Sequence, residues 1–111
     1  MTVITVCYRG NSIAGFKAKG HSGYAERGED IVCAAISALT QTAVLGITEL
    51  VKADVQYSVS DGGLCLMLPS SLEEDARERA ELILGTMLLG LRSVEEKYSD
   101  YLKIIKREVK A

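Results

Sequence analysis

Asp30, Cys33 and Ser37 stand at i−3, i and i+4, a spacing that on a helix lines three side chains along one stripe. A helix opening at Asp30 puts Cys33 in its first turn, where unpaired backbone N–H groups and the positive end of the dipole favour a thiolate. The dipole offers about 0.3–1 kcal/mol, and at about 1.36 kcal/mol per unit it lowers a thiol near ~8.5 by less than one unit. A neighbouring imidazolium does much more. The chain has one histidine, His21, placed where a strand-like segment gives way to a glycine-rich loop leading into the helix. If that loop folds back, the Cys33 thiolate attacks a peptide carbonyl and the His21 imidazolium protonates the departing amine. N–H groups of the first helical turn are then the expected oxyanion donors.

Each of these residues also has a plainer reading. A free cysteine is commonly a small buried apolar residue, and one Cys/His pair specifies little by itself. Asp30 reads equally as a helix cap or as an orienter of His21, and Ser37 as a helix filler bonded to a backbone carbonyl. Tyr24 either contacts a substrate or tucks against the sheet. Cys7 and Cys65 lie in apolar strand-like segments and are expected to be structural. The three cysteines make an odd number, with no C-x-x-C spacing and no cluster around the histidine. Neither a metal site nor a disulfide framework is expected, and a reducing cytoplasmic setting is.

The elements that must position these residues follow from periodicity. Val3 to Tyr8 reads as a strand, and Ala14, Phe16 and Ala18 alternate with Gly15, Lys17 and Lys19 as a second. Gly10-Asn11 suits a two-residue hairpin between them. From Gly20 to Glu29, three glycines (Gly20, Gly23, Gly28) and the absence of apolar periodicity predict a mobile loop. A helix is predicted from Asp30 to about Val51, buried on more than one side because residues 31 to 48 carry no charge. That run brushes the length of a membrane span, but Ser37, Thr40, Gln41, Thr42 and Thr48 interrupt it, so no span is expected.

Val55, Tyr57 and Val59 alternate, Asp61-Gly62-Gly63 supplies a turn, and Leu64 to Leu68 returns as a buried strand. Ser71 with Glu74 forms a capping-box pattern, opening a second long helix whose spare apolar residues, Leu82 and Leu89, suggest a partner chain. Tyr101 to Val109 reads as a closing strand. The expected fold is α+β, in the order β-β-α-β-β-α-β, with an antiparallel or mixed sheet of about five strands and two long helices packed on one face.

With 111 residues and 12.0 kDa, 1–111 is read as a single domain. Hydrophobic residues at 48% and charged residues at 25% place it among ordinary globular chains rather than disordered ones. A net charge of -2 offers no global positive field for a phosphate backbone, so nucleic acid is not an expected partner. The opening Met1 to Val6 alternates instead of forming the basic and apolar regions of a secretion signal.

The segment from Gly20 to Leu39 closely resembles the signature of the ribosomal-processing cysteine protease Prp family: a histidine after a glycine, a cysteine about a dozen residues on, and an aspartate and a serine flanking it. The resemblance implies catalytic roles for His21 and Cys33, support from Asp30 and Ser37, and a substrate loop containing Gly20, Gly23, Tyr24 and Gly28. It departs at Ser22, where alanine is more usual. It further implies removal of a short N-terminal extension, ending in aromatic residues, from a large-subunit ribosomal protein. It implies a homodimer, a flexible loop between histidine and cysteine, and no cofactor. Two other readings compete: a non-enzymatic ribosome-assembly module touching RNA through Lys103, Lys106, Arg107 and Lys110, and a thiol redox sensor.

Overall fold

Alternation along the first two strands decides which face of the sheet is dry. The computed structural model describes residues 1–26, 28–60 and 62–109. In β1 (Thr2–Arg9) Ile4 and Val6 are buried, and they pair with Ala18 and Phe16 of β2 (Ser12–Lys19). The strands turn at Gly10-Asn11 as expected, with Gly10 at φ 64 in the first central position, which a type II′ hairpin reserves for glycine.

The second hairpin joins β3 (Gln56–Ser60) to β4 (Gly63–Met67). Of the turn read at Asp61-Gly62-Gly63, Asp61 lies outside the described residues, Gly62 has φ 76 and Gly63 opens β4. The last strand, β5 (Leu102–Glu108), runs parallel to β1, so the sheet is mixed with the order β3-β4-β2-β1-β5.

Two helices cover one face. The first, α1 (Ile31–Leu45), turns Val32, Ile36, Ala43 and Val44 towards a cluster that includes Phe16, Leu66 and Leu102 from the sheet. It continues to Val51, where the sequence places its end, but over Gly46–Val51 the winding widens to a π-helix. The Thr48 hydroxyl donates to the Val44 carbonyl at 3.0 Å, as Thr40 does to Ile36 within the regular part of the helix. Gly46 also lies so close to Ile83 that a Cβ there would sit 3.2 Å from its side chain. By length and composition Ile31–Val51 is apolar enough to cross a membrane; here its inward stripe packs in the core, while Ile31, Leu45 and Leu50 are exposed.

The second helix, α2 (Glu74–Lys97), buries Ala80, Leu84, Met87, Leu88 and Leu91. The capping box read at Ser71 and Glu74 does not form. Ser71 is taken up by a tight turn closed by the Leu72 amide on the Pro69 carbonyl at 3.1 Å, so the helix starts later, with Glu73 as its N-cap and no side-chain capping bond. Glu74 and Asp75 still place negative charge at the positive end of the dipole.

Candidate active site

Asp30 caps α1 and does more than cap it. Its Oδ1 accepts the Cys33 amide at 2.9 Å, the bond an N-cap aspartate makes to the third helical residue. Its Oδ2 accepts the Ser22 hydroxyl at 2.5 Å and the amides of Tyr24 and Ala25 at 3.1 and 3.4 Å. One carboxylate therefore ties the helix tip to the loop that carries His21. Burial alone would raise its pKa, but the hydrogen bonds from Ser22 and from the Cys33, Ala25 and Tyr24 amides outweigh that and hold it below the ordinary value of 3.8.

This arrangement brings the loop onto the thiol. The Ser22 amide donates to Cys33 Sγ at 3.4 Å, and Ser22 itself is only 2% exposed. The expectation that the first turn of α1 supplies oxyanion donors needs correcting at two positions. The Cys33 amide is engaged by Asp30 Oδ1, and the Ala34 amide by the Asp30 carbonyl at 3.0 Å. The Ser22 amide, from the loop, is directed at the sulfur itself.

His21 is exposed at the mouth of the same site. Its imidazole lies across the tip of the β3–β4 hairpin, where a Cβ on Gly62 would sit 3.3 Å from Nε2. The Gly20 amide donates to the Gly62 carbonyl at 2.8 Å, fixing the hairpin tip against the start of the loop. Among the described residues, no hydrogen bond joins the His21 ring to Cys33 or Asp30.

Two hollows share His21, Cys33 and Ser37 as a common rim. One, of about 220 Å³, runs between α1 and the β3–β4 hairpin past Thr40, Val59 and Gly62. The other, of about 520 Å³, is bounded by Gly23, Ala25, Gly28 and Ala34. A chain lying through both would cross the sulfur. Gly20, Gly23 and Gly28 have φ of 86, 77 and 89, so the loop bends at each through backbone conformations that other residues rarely adopt.

Tyr24 neither enters the hollows nor packs on a strand face. Its ring meets Tyr98 and Tyr101 edge to face, with centroids 5.6 and 5.2 Å away, pinning the loop to the α2–β5 connection. Cys7 and Cys65 stand on the opposite face of the sheet, in register with Gly15 and Lys17 of β2. Burial raises the Cys7 thiol above its ordinary 9.0 against the opposing pull of Lys17. The sequence reading missed the part played by Ser22, Gly62, Tyr98 and Tyr101. The one signal for any of them was the departure at Ser22, a hydroxyl beside the candidate base.

A thiol at a capped helix tip, a histidine on the same rim and two hollows meeting at that rim outline a cysteine peptidase on an α+β scaffold. A model of the family "Cysteine protease Prp" matches residues 1–103, and the chain belongs to that family. Ribosomal processing cysteine protease Prp of Bacillus subtilis (strain 168) is 33% identical over 94 residues, covering 83% of this chain and 84% of that one. The protein of the same name from Staphylococcus aureus (strain NCTC 8325 / PS 47) is 32% identical over 88 residues, covering 77% and 78%. A crystal structure of the ribosomal processing protease Prp from S. aureus with a covalently linked product peptide superposes with a TM-score of 0.85 at 25% identity, covering 96% of this chain and all of that one.

Proposed function

We propose that Cys33 is the nucleophile and His21 the proton carrier of a peptidase that removes the N-terminal extension of a large-subunit ribosomal protein. The observation that carries this reading is the placement of Cys33 and His21 together on the rim of both hollows, with the Ser22 amide aimed at the sulfur. The Cys33 proton passes to His21 as the sulfur bonds to the substrate carbonyl carbon. His21 then delivers that proton to the amine as the C–N bond breaks, leaving a thioester. His21 takes a proton from water as the hydroxide attacks, and the carboxylic product leaves with the thiol restored. The Ser22 amide, aimed at Sγ from 3.4 Å, stabilises negative charge on the sulfur before attack. Asp30 and Ser37 are supporting residues: Asp30 holds loop and helix together, and Ser37 lines the groove one turn beyond the thiol.

The substrate follows from the named relatives, which are ribosomal processing enzymes, and it supports a cytoplasmic setting. The shared apolar cluster of sheet and helices supports a single protease domain over 1–111. Leu50 and Leu82, 78% and 73% exposed, border an apolar hollow of about 510 Å³ between α1 and α2. That surface suits a homodimer contact, and Leu82→Asp is expected to yield monomers in sedimentation. Lys106 stacks over the Tyr8 ring at 4.5 Å, which argues against a strand face free to grip RNA; Lys110 lies outside the described residues.

The test is cleavage of a peptide carrying the extension. Wild-type protein should cut it at one bond, Cys33→Ala and His21→Ala should not, and Cys7→Ala and Cys65→Ala should cut as wild type does. An intact peptide after incubation with wild-type protein would refute the reading.

A further inference from the structure

Strand β3 ends the sheet with one edge paired to β4 and the other facing solvent, and each of its five residues is exposed. An unpaired edge is a template for another strand, and folded proteins ordinarily cover, twist or charge it. Here the sequence Gln56-Tyr57-Ser58-Val59-Ser60 contains no charge and no proline. Its two apolar side chains, Tyr57 and Val59, are 52% and 63% exposed.

Register shows how that edge is presented. Tyr57 pairs with Leu66 and Val59 with Leu64, and both leucines are buried in the core. Cross-strand partners share a face, so Tyr57 and Val59 stand on the face the helices cover, beyond the reach of that cover. Ser60 and Gly63 flank a two-residue turn and so form the hydrogen-bonded pair that closes it. Antiparallel pairing alternates from there, directing the backbone groups of Ser60, Ser58 and Gln56 to β4. Those of Val59 and Tyr57 face outward.

One outward position borders the reacting pair: Val59 lines the same 220 Å³ hollow as His21 and Cys33. A strand added beside β3 lies about 4.8 Å from it and places every second side chain on the helix-bearing face.

We infer that the peptide substrate docks by adding to the free edge of β3 as a sixth strand, its main chain bonded to Val59 and Tyr57. Its alternate side chains rest on the apolar surface these two residues expose. This rests on the peptidase reading and names how that site grips its substrate: main-chain bonds give affinity that tolerates sequence, and the contact with Val59 and Tyr57 selects apolar side chains.

The experiment pairs Val59→Pro with Val59→Ile. Proline removes the outward N–H without touching a bond to β4, which edge strands tolerate, whereas isoleucine keeps both the apolar contact and the N–H. Val59→Pro should raise KM for the extension peptide at least tenfold and leave iodoacetamide alkylation of Cys33 unchanged, with the KM of Val59→Ile within threefold of wild type. In parallel, single N-methylation along the peptide should impair cleavage at alternate positions on one flank of the scissile bond. Unchanged KM in folded Val59→Pro, or N-methyl effects without a two-residue period, would overturn the inference while leaving the peptidase reading intact. If Val59→Pro does not fold, the N-methyl series decides alone. A change in solution mass of Val59→Pro at unchanged KM would assign the edge to a second copy of the chain and overturn the inference as well.

Discussion

The Ser22 amide points at the sulfur of Cys33 from 3.4 Å, while the hydroxyl of the same residue holds Asp30 at 2.5 Å. One buried residue thus links the loop, the helix cap and the thiol. Ser22→Ala keeps the amide and loses both hydroxyl bonds, the one given to Asp30 and the one accepted from the Tyr24 amide, which retains Asp30 as a partner. It should cost about 1 kcal/mol of stability, the usual net worth of a hydrogen bond with a solvent-accessible partner, and lower kcat less than tenfold. Thermal melts and peptide turnover check both. A loss as large as that of Cys33→Ala would mean that the hydroxyl itself takes part in the chemistry.

Asp30 makes the same latch sensitive to acid. Its pKa in the fold lies below the ordinary 3.8 because burial is outweighed by the hydrogen bonds from Ser22 and three backbone amides. A depressed carboxyl contributes stability that is complete above its unfolded value and is lost as pH falls through the folded one. The melting temperature of the wild type should therefore fall more between pH 5 and pH 2 (about the carboxylate range) than that of Asp30→Asn. Parallel curves for the two proteins would show that the carboxylate does not latch the loop.

Gly62 serves the site by what it lacks. A methyl group at this position would sit 3.3 Å from His21 Nε2, on a backbone with φ 76. Gly62→Ala should cost about 1–2 kcal/mol for the left-handed conformation. It should also reduce kcat by displacing the imidazole, with the circular dichroism spectrum unchanged. Full activity would show that the ring position at the hairpin tip does not matter.

The three thiols should differ in reactivity by face and burial. Cys7 is buried with its pKa raised, so at neutral pH iodoacetamide should label it last in the native protein. Cys33, in the open groove, should be labelled first. Mass mapping of the modified cysteines over time reads the order, and His21→Ala should slow Cys33 alone.

Much of this layout was legible because it is local. Ile4, Val6 and Phe16 alternate where strands form, Gly10-Asn11 turns the first hairpin, and the uncharged run after Asp30 marks the helix that carries Cys33. The stripe of Asp30, Cys33 and Ser37 needs only helical geometry. What stayed hidden depends on partners far apart in the chain. The parallel pairing of β1 with β5, the ring of Tyr24 between Tyr98 and Tyr101, and the approach of Gly62 to His21 are all set by tertiary packing. One local signal was misleading for a physical reason: Ser71 entered a turn anchored at Pro69 before it could cap α2.

The most direct test of the whole account is intact-mass analysis of protein quenched in acid during turnover of the extension peptide. The account predicts a mass increase equal to the acyl-side fragment, located on Cys33 after digestion and absent from Cys33→Ala. Cleavage of the peptide by Cys33→Ala, or an adduct on Cys7 or Cys65 in place of Cys33, would contradict it.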